Sequence, residues 1–307
     1  SLTKFHINIG ESMKRFLTVA IGSMALMGGA EQASADITVY GSTEQALTIT
    51  DNGTTNSKDI TNGDTYVGFK ATEDLGNGLS AFGDISLNID SEGGNAATTR
   101  DAKVGISSNA GTITMGRQKN LTKVIGGAVD IFEGNSATVT SQARNNNTML
   151  YTSPNMGGFT GSAMLTADGT TGDDSVDTNE YAVAYANGSL SLGGVRLDDT
   201  VNNNQTITLM GAYTISGLTV AVAKSELDNN DSTANVETMT YAGSIDLGKN
   251  TLKAGFQDAD EGNETTTLEA VHNFSNKTSA YVNFQNANPK SGAAETDTTS
   301  VGLRVNF

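Results

Sequence analysis

From Asp36 onward, apolar residues recur at every second position rather than in clusters. In LSAFGDISLNID, Leu79, Ala81, Ile85, Leu87 and Ile89 share one side of an extended chain, and Ser80, Asp84, Ser86, Asn88 and Asp90 share the other. In QTITLMGAYTI, Ile207, Leu209, Tyr213 and Ile215 oppose Thr206, Thr208 and Thr214. The last ten residues, TTSVGLRVNF, set Val301, Leu303, Val305 and Phe307 against Ser300, Gly302, Arg304 and Asn306. A period of two is the mark of strands with one apolar and one polar face. The pattern predicts sixteen strands, at 37–50, 64–72, 79–90, 100–108, 112–118, 145–153, 159–167, 178–186, 190–197, 205–215, 218–226, 235–245, 251–259, 265–274, 279–286 and 297–307. A count of 14 is the alternative if the weak segments 190–197 and 235–245 merge or drop out.

The connections alternate in length. EDLGNG (73–78), NAG (109–111), PNMGG (154–158), NGS (187–189), SG (216–217), DLGKN (246–250) and SNKT (275–278) are short. Between them lie longer polar stretches at 51–63, 91–99, 168–177, 227–234 and 287–296, and one much longer stretch at 119–144. Regular alternation of short and long turns is the signature of an up-and-down transmembrane barrel. In lipid every backbone polar group must be paired within the protein, so the sheet must close. Sixteen strands leave an aqueous bore, whereas about eight would fill with side chains. The apolar face then meets lipid and the polar face meets water. A soluble sandwich of this size would need a large core, which a chain with no Trp and 6% aromatics does not supply.

Composition alone, with 36% hydrophobic residues, 35 Gly and 2 Pro, would fit disorder, but the alternation excludes it. There is no cysteine, so neither disulfides nor thiolate metal sites arise. The formal charge of −16 argues against nucleic acid as a partner. Residues 1–35 are expected to be an upstream leader plus an export signal. Met13-Lys14-Arg15 gives a basic start, Phe16 to Gly29 an apolar stretch, and Ala33-Ser34-Ala35 a small-residue cleavage site, with cleavage after Ala35. Residues 36–307 would then form one domain with 15 Lys and Arg (18 less 3) and 32 Asp and Glu (34 less 2), a charge of −17. No later stretch is apolar enough for a membrane helix, so any spanning segments must be strands.

Several segments resemble the general-diffusion porins of Gram-negative outer membranes, the proteobacterial trimeric 16-stranded type. DITVYGSTEQAL is similar to that family's first strand, and TYVGFKATEDLGNGLSAFGDI (65–85) to its second and third with their turn. RDAKVGISSNAGTITMGRQ (100–118) and NNNTMLYTSPNMGGFTGSAML (145–165) match further strands in order and spacing, and the terminal Phe307 matches the family's assembly signal. The resemblance covers the whole chain after Asp36. It implies a homotrimer in the outer membrane, in contact with lipopolysaccharide and placed there by the barrel assembly machinery. It also implies that 119–144 folds into the lumen as a constriction loop, with acids Asp130 and Glu133 facing wall cations Arg100 and Arg144. Lys70 shares parity with lumen positions and joins the basic wall. Two positions that are commonly basic in the family are here Tyr66, or its neighbour Thr65, and Ser42, so the basic row is thinned.

Arg117 shares parity with Ile113 and Met115, which should face outward. A charge in lipid is costly, so Arg117 is expected at a polar rim or a subunit interface, where the resemblance pairs it with Glu92 of a neighbour's second loop. Of two histidines, only His272 lies beyond the leader, so no Ser-His-Asp or zinc set can be assembled and no enzyme, cofactor or metal is expected. Asp173, Asp174, Asp228 and Asp231 are more simply solvated loop acids than cation ligands. The expected function is passive diffusion of small hydrophilic solutes and ions, with weak cation preference. The alternatives are a channel selective for one nutrient, and a non-conducting structural or adhesive barrel.

Overall fold

The computed structural model describes residues 36–134, 139, 141–167, 169, 176–229, 235–260 and 262–307. The leader and the loop acids Asp173, Asp174 and Asp231 lie outside these residues. The strands are β1 (Asp36–Asp51), β2 (Asn56–Asn62), β3 (Tyr66–Gly76), β4 (Leu79–Asn88), β5 (Thr98–Ser108), β6 (Gly111–Lys119), β7 (Arg144–Thr152), β8 (Phe159–Thr166) and β9 (Thr178–Asn187). They continue as β10 (Leu190–Asp199), β11 (Asn204–Ile215), β12 (Leu218–Asp228), β13 (Val236–Leu247), β14 (Asn250–Ala259), β15 (Asn263–Asn273), β16 (Thr278–Pro289) and β17 (Thr296–Asn306). One short helix, α1 (Leu121–Gly126), lies between β6 and β7.

Every pairing is antiparallel, and from β3 onward each strand pairs with the next. β17 returns to β1, in register from Ser42↔Asn306 to Asp51↔Asp297. The other edge of β1 pairs with two segments, β3 from Asp36↔Thr72 to Ser42↔Tyr66 and β2 from Gln45↔Asn62 to Asp51↔Asn56. β2 and β3 are therefore one wall strand interrupted at 63–65. The 17 segments make 16 wall strands, and the sheet is a closed barrel. The segments 190–197 and 235–245 are full strands, which rules out a count of 14.

The interruption has a local cause. Gly63 N and the Thr65 hydroxyl both donate to the Glu44 carbonyl, and Asp64 N donates to the Glu44 carboxylate at 3.1 Å. The chain bends around one lumen-facing acid rather than continuing its ladder. This also corrects the expectation of a loop over 51–63, since only 52–55 connect β1 to β2. On the opposite rim β3 runs on to Gly76, leaving Asn77-Gly78, both at positive φ, as the turn.

Burial is reversed relative to a soluble protein. Thr206, Thr208, Thr240, Thr267, Ser225 and Asn283 are fully buried, while Val183, Leu209, Val220 and Leu268 are more than half exposed. The polar faces meet one another inside, as in the 2.8 Å Thr208–Ser225 hydroxyl contact. The apolar faces form the outer surface. At the closure, Phe307 exchanges both backbone hydrogen bonds with Gly41, and a Cβ on Gly41 would run into its ring. Glycine at this point lets the terminal ring lie flat on the outer wall.

The second long loop is folded back on its own chain. The Asp90 carboxylate accepts from the backbone N–H groups of Glu92, Gly93 and Asn95, which holds it down at about 2. Glu92 accepts from Asn62 N, and Ser91 donates to Asn62 Oδ1.

Two outcomes follow. Leu268→Arg, on the outer face at the middle of β15, should cost about 2–4 kcal/mol, read by urea unfolding in vesicles. Because the Asp90 pKa is depressed, its contribution to loop order is present above the ordinary carboxylate pKa and lost as pH falls from about 4 towards about 2. A spin label at Ala96→Cys, in a chain without native cysteine, should become mobile over that interval. With Asp90→Asn it should be mobile at all pH values.

Candidate functional site

The described residues of the connection from β6 to β7 run inside the barrel. Asn120 ties its two roots together, accepting from Lys123 N and Ala143 N and donating from its amide to the Ser141 carbonyl. The first of these contacts caps α1. Leu121 and Ile125 of α1 pack on Met164, Ala182 and Val195, and Val129 and Val139 pack on Ala221, Ala223 and Ala242. The wall supplies small residues here, so the loop sits close against it. The fully buried Glu180 accepts from Thr122 N at 3.1 Å.

The tip, Ile131–Gly134, is pinned by charge. The Glu269 carboxylate on β15 accepts from Glu133 N, from Gly134 N at 2.9 Å and from the Asn283 amide at 2.9 Å. Lys253 on β14 donates to the Ile131 carbonyl at 2.6 Å and pairs with Glu269 at 3.0 Å and Glu133 at 3.3 Å. Arg304 on β17 bridges Glu133, Glu44 and Asp64 and donates to Ser42 Oγ at 3.1 Å. Tyr281 lies across Gly302, where a Cβ would run into its ring, and its hydroxyl donates to Glu44 at 2.7 Å.

Opposite the tip, Arg100 forms a two-pronged pair with Asp64 at 2.6 and 3.2 Å, and Arg144 Nε pairs with Asp101 at 3.2 Å. Arg100 owes its direction to a bulge, because β4 pairs Ser86 with Asp101 and Leu87 with Thr99, leaving Arg100 as the extra residue. Its guanidinium stands 4.1 Å from the Tyr66 ring centre. Tyr66 and Ser42, where the basic row was read as thinned, thus support arginines from other strands.

Between tip and wall is a space of about 530 Å³. The charged groups around it are Glu44, Asp64, Asp130 and Glu133 against Arg100, Lys119, Lys123, Arg144 and Arg304. Four of the five residues expected at the constriction, Arg100, Arg144, Asp130 and Glu133, meet here. Lys70 does not: it faces the lumen nearer the short-turn rim, with its ammonium 5.4 Å from the Phe82 ring centre. Arg117 lies at another bulge, and its guanidinium donates to the carbonyls of Thr99 and Arg144 and to Asn146 Oδ1. Within one chain, then, Arg117 and Glu92 each already have partners.

Sequence reading missed Glu44, Asp64, Glu180, Lys253, Glu269 and Arg304. Alternation with apolar neighbours puts Arg304 on the water-facing side without placing it at the aperture, and the same signal could have placed Lys253 in the lumen. Asp64 lies in the strand break and carries no periodic signal.

Removing Glu269 would leave Lys253, whose side chain is only 9% exposed, without its closest carboxylate. Glu269→Ala should cost about 3–5 kcal/mol and release the tip. A lower unfolding midpoint and larger current fluctuations in single-channel records would report it.

A family model described as Gram-negative porin matches residues 20–292. The major outer membrane protein P.IB of Neisseria lactamica is 24% identical over 90% of this chain and 95% of its own length. Among solved structures, an anion-selective porin from Comamonas acidovorans superposes with a TM-score of 0.72 at 21% identity, covering 89% of this chain and all of that one. OmpT of Vibrio cholerae, in its trimer form, gives 0.67 at 17% identity, with 89% and 100% covered. With its family model spanning most of its length and a closed barrel narrowed by an inserted loop, the chain belongs to the Gram-negative porin family.

Proposed function

We propose that this outer-membrane porin passes small hydrophilic solutes and ions by passive diffusion, with a weak preference for cations. The reading adds a homotrimer with one pore per subunit, an export signal cleaved after Ala35, contact with lipopolysaccharide, and recognition of Phe307 by the barrel assembly machinery. The observation that carries it is the aperture: a polar space of about 530 Å³ bordered by opposed charges inside a wall whose outer face is apolar. Ions and dipolar solutes can exchange part of their hydration for these groups, and the bordering charges set the preference.

The charges bordering the aperture nearly balance, with five cationic groups against four carboxylates. The excess of acid in the −17 charge of residues 36–307 (15 less 32) therefore lies elsewhere. Such a field acts on ions approaching the mouths and is screened by salt, with a Debye length of about 30 Å at 0.01 M and 3 Å at 1 M. A second reading, anion preference, is favoured by the one extra cation at the aperture. The structural likeness to an anion-selective porin, that of Comamonas acidovorans, points the same way.

Reversal potentials in KCl gradients separate the two readings. Potassium should be favoured in dilute salt, with the ratio falling towards unity as the salt is raised. Chloride preference at every concentration would establish the second reading, and absence of any conductance would overturn the porin function itself.

A further inference from the structure

The lumen face of β1, β3 and β4 carries a column of aromatic rings: Tyr66 carries the aperture's Arg100, and Tyr40 and Phe82 continue the column below it. Pairing sets Tyr66 beside Ser42, Tyr40 beside Gly68, Lys70 beside Asp84 and Phe82 beside Thr72. Tyr66, Tyr40, Lys70 and Phe82 thus occupy successive rungs, about 7 Å apart, from the aperture towards the short-turn rim.

Two of these rings lie flat against the wall. A Cβ on Gly68 would run into the Tyr40 ring, and one on Gly105 into the Phe82 ring. A ring folded over a glycine turns a face to the pore instead of standing edge-on. The electron-rich faces already attract cations, Arg100 at Tyr66 and Lys70 at Phe82. The neighbouring charges are otherwise committed. Arg100 pairs with Asp64, and Asp84 accepts from the Tyr40 hydroxyl and pairs with Lys103 at 3.6 Å. Lys70 is exposed and makes no ion pair among the described residues.

We propose that this column is a track for planar aromatic carboxylates, the ring stacking on Phe82 and Tyr40 while the carboxylate pairs with Lys70. The proposal rests on the porin reading and gives that pore a solute class. Neither half suffices alone: an exposed ion pair contributes little in water, and one stacked ring contributes about 0.5–1.5 kcal/mol. A simple carboxylate or an uncharged aromatic should therefore pass without residence.

The test is the potassium current through single channels in KCl with sodium benzoate added, against sodium acetate and benzyl alcohol at equal concentration. Benzoate should lower the current saturably and the other two should not. In Phe82→Leu and in Lys70→Gln the half-blocking concentration should rise roughly five-fold with KCl conductance retained. Lys70→Gln alters an exposed side chain, so the test survives if Phe82→Leu folds poorly. Benzoate acting no more strongly than acetate, or an unchanged half-blocking concentration in Lys70→Gln, overturns the proposal. A loss of all KCl conductance in the unaltered protein would strike the porin reading instead.

Discussion

The backbone hydrogen bonds between β1 and β17 carry the architecture. In hydrocarbon an unpaired N–H or C=O has no water to turn to, so an open edge would cost several kcal/mol for each group left bare. Ten residue pairs, from Ser42↔Asn306 to Asp51↔Asp297, remove that edge, and the reciprocal bonds of Phe307 and Gly41 finish it. The register also fixes which side chains point inward, because a slip of one residue would exchange the two faces of the strand. Arg304 reaches Glu44 and Glu133 only in this register. Closing the wall and setting the aperture charges are thus one geometric event.

Inside that wall the usual arrangement of a core is turned round. Apart from Val129 and Ala223 at the seat of the loop, the described side chains most completely removed from solvent are hydroxyls, amides and carboxylates, and each needs a partner. Glu44 and Glu269 meet the need with several donors apiece, and those donors come from the wall and from the strand break or loop tip they hold. The loop is held by two kinds of force. Apolar packing of Leu121, Ile125, Val129 and Val139 on the wall seats the loop on either side of its tip, and charge-assisted hydrogen bonds seat the tip itself.

The wall was legible because lipid on one side and water on the other impose a strict period of two. The register breaks were not. β2 reads as loop in NSKDITN because its side chains stand at the exposed rim, where neither face is selected for apolarity. The bulge that turns Arg100 inward leaves no mark in the alternation of its neighbours. The seat of the inserted loop did leave one: lumen positions that are Thr or Ser elsewhere become Ala182, Ala221, Ala223 and Ala242, which makes little sense beside water and good sense beneath Leu121 and Val129. Lys70 was placed at the constriction from its face alone, and a face does not specify a height along the pore.

The inserted loop has a consequence for the order of events in assembly. Most of the surfaces that seat it, from Glu180 on β9 through Ala221, Ala242, Lys253 and Glu269 to Arg304 on β17, lie later in the chain than the loop itself. A sheet that lacks the strands from β9 to β17 has nowhere to put it. The narrow passage therefore forms only once those strands stand in the wall, and a partly assembled sheet holds an unseated tether rather than a filter.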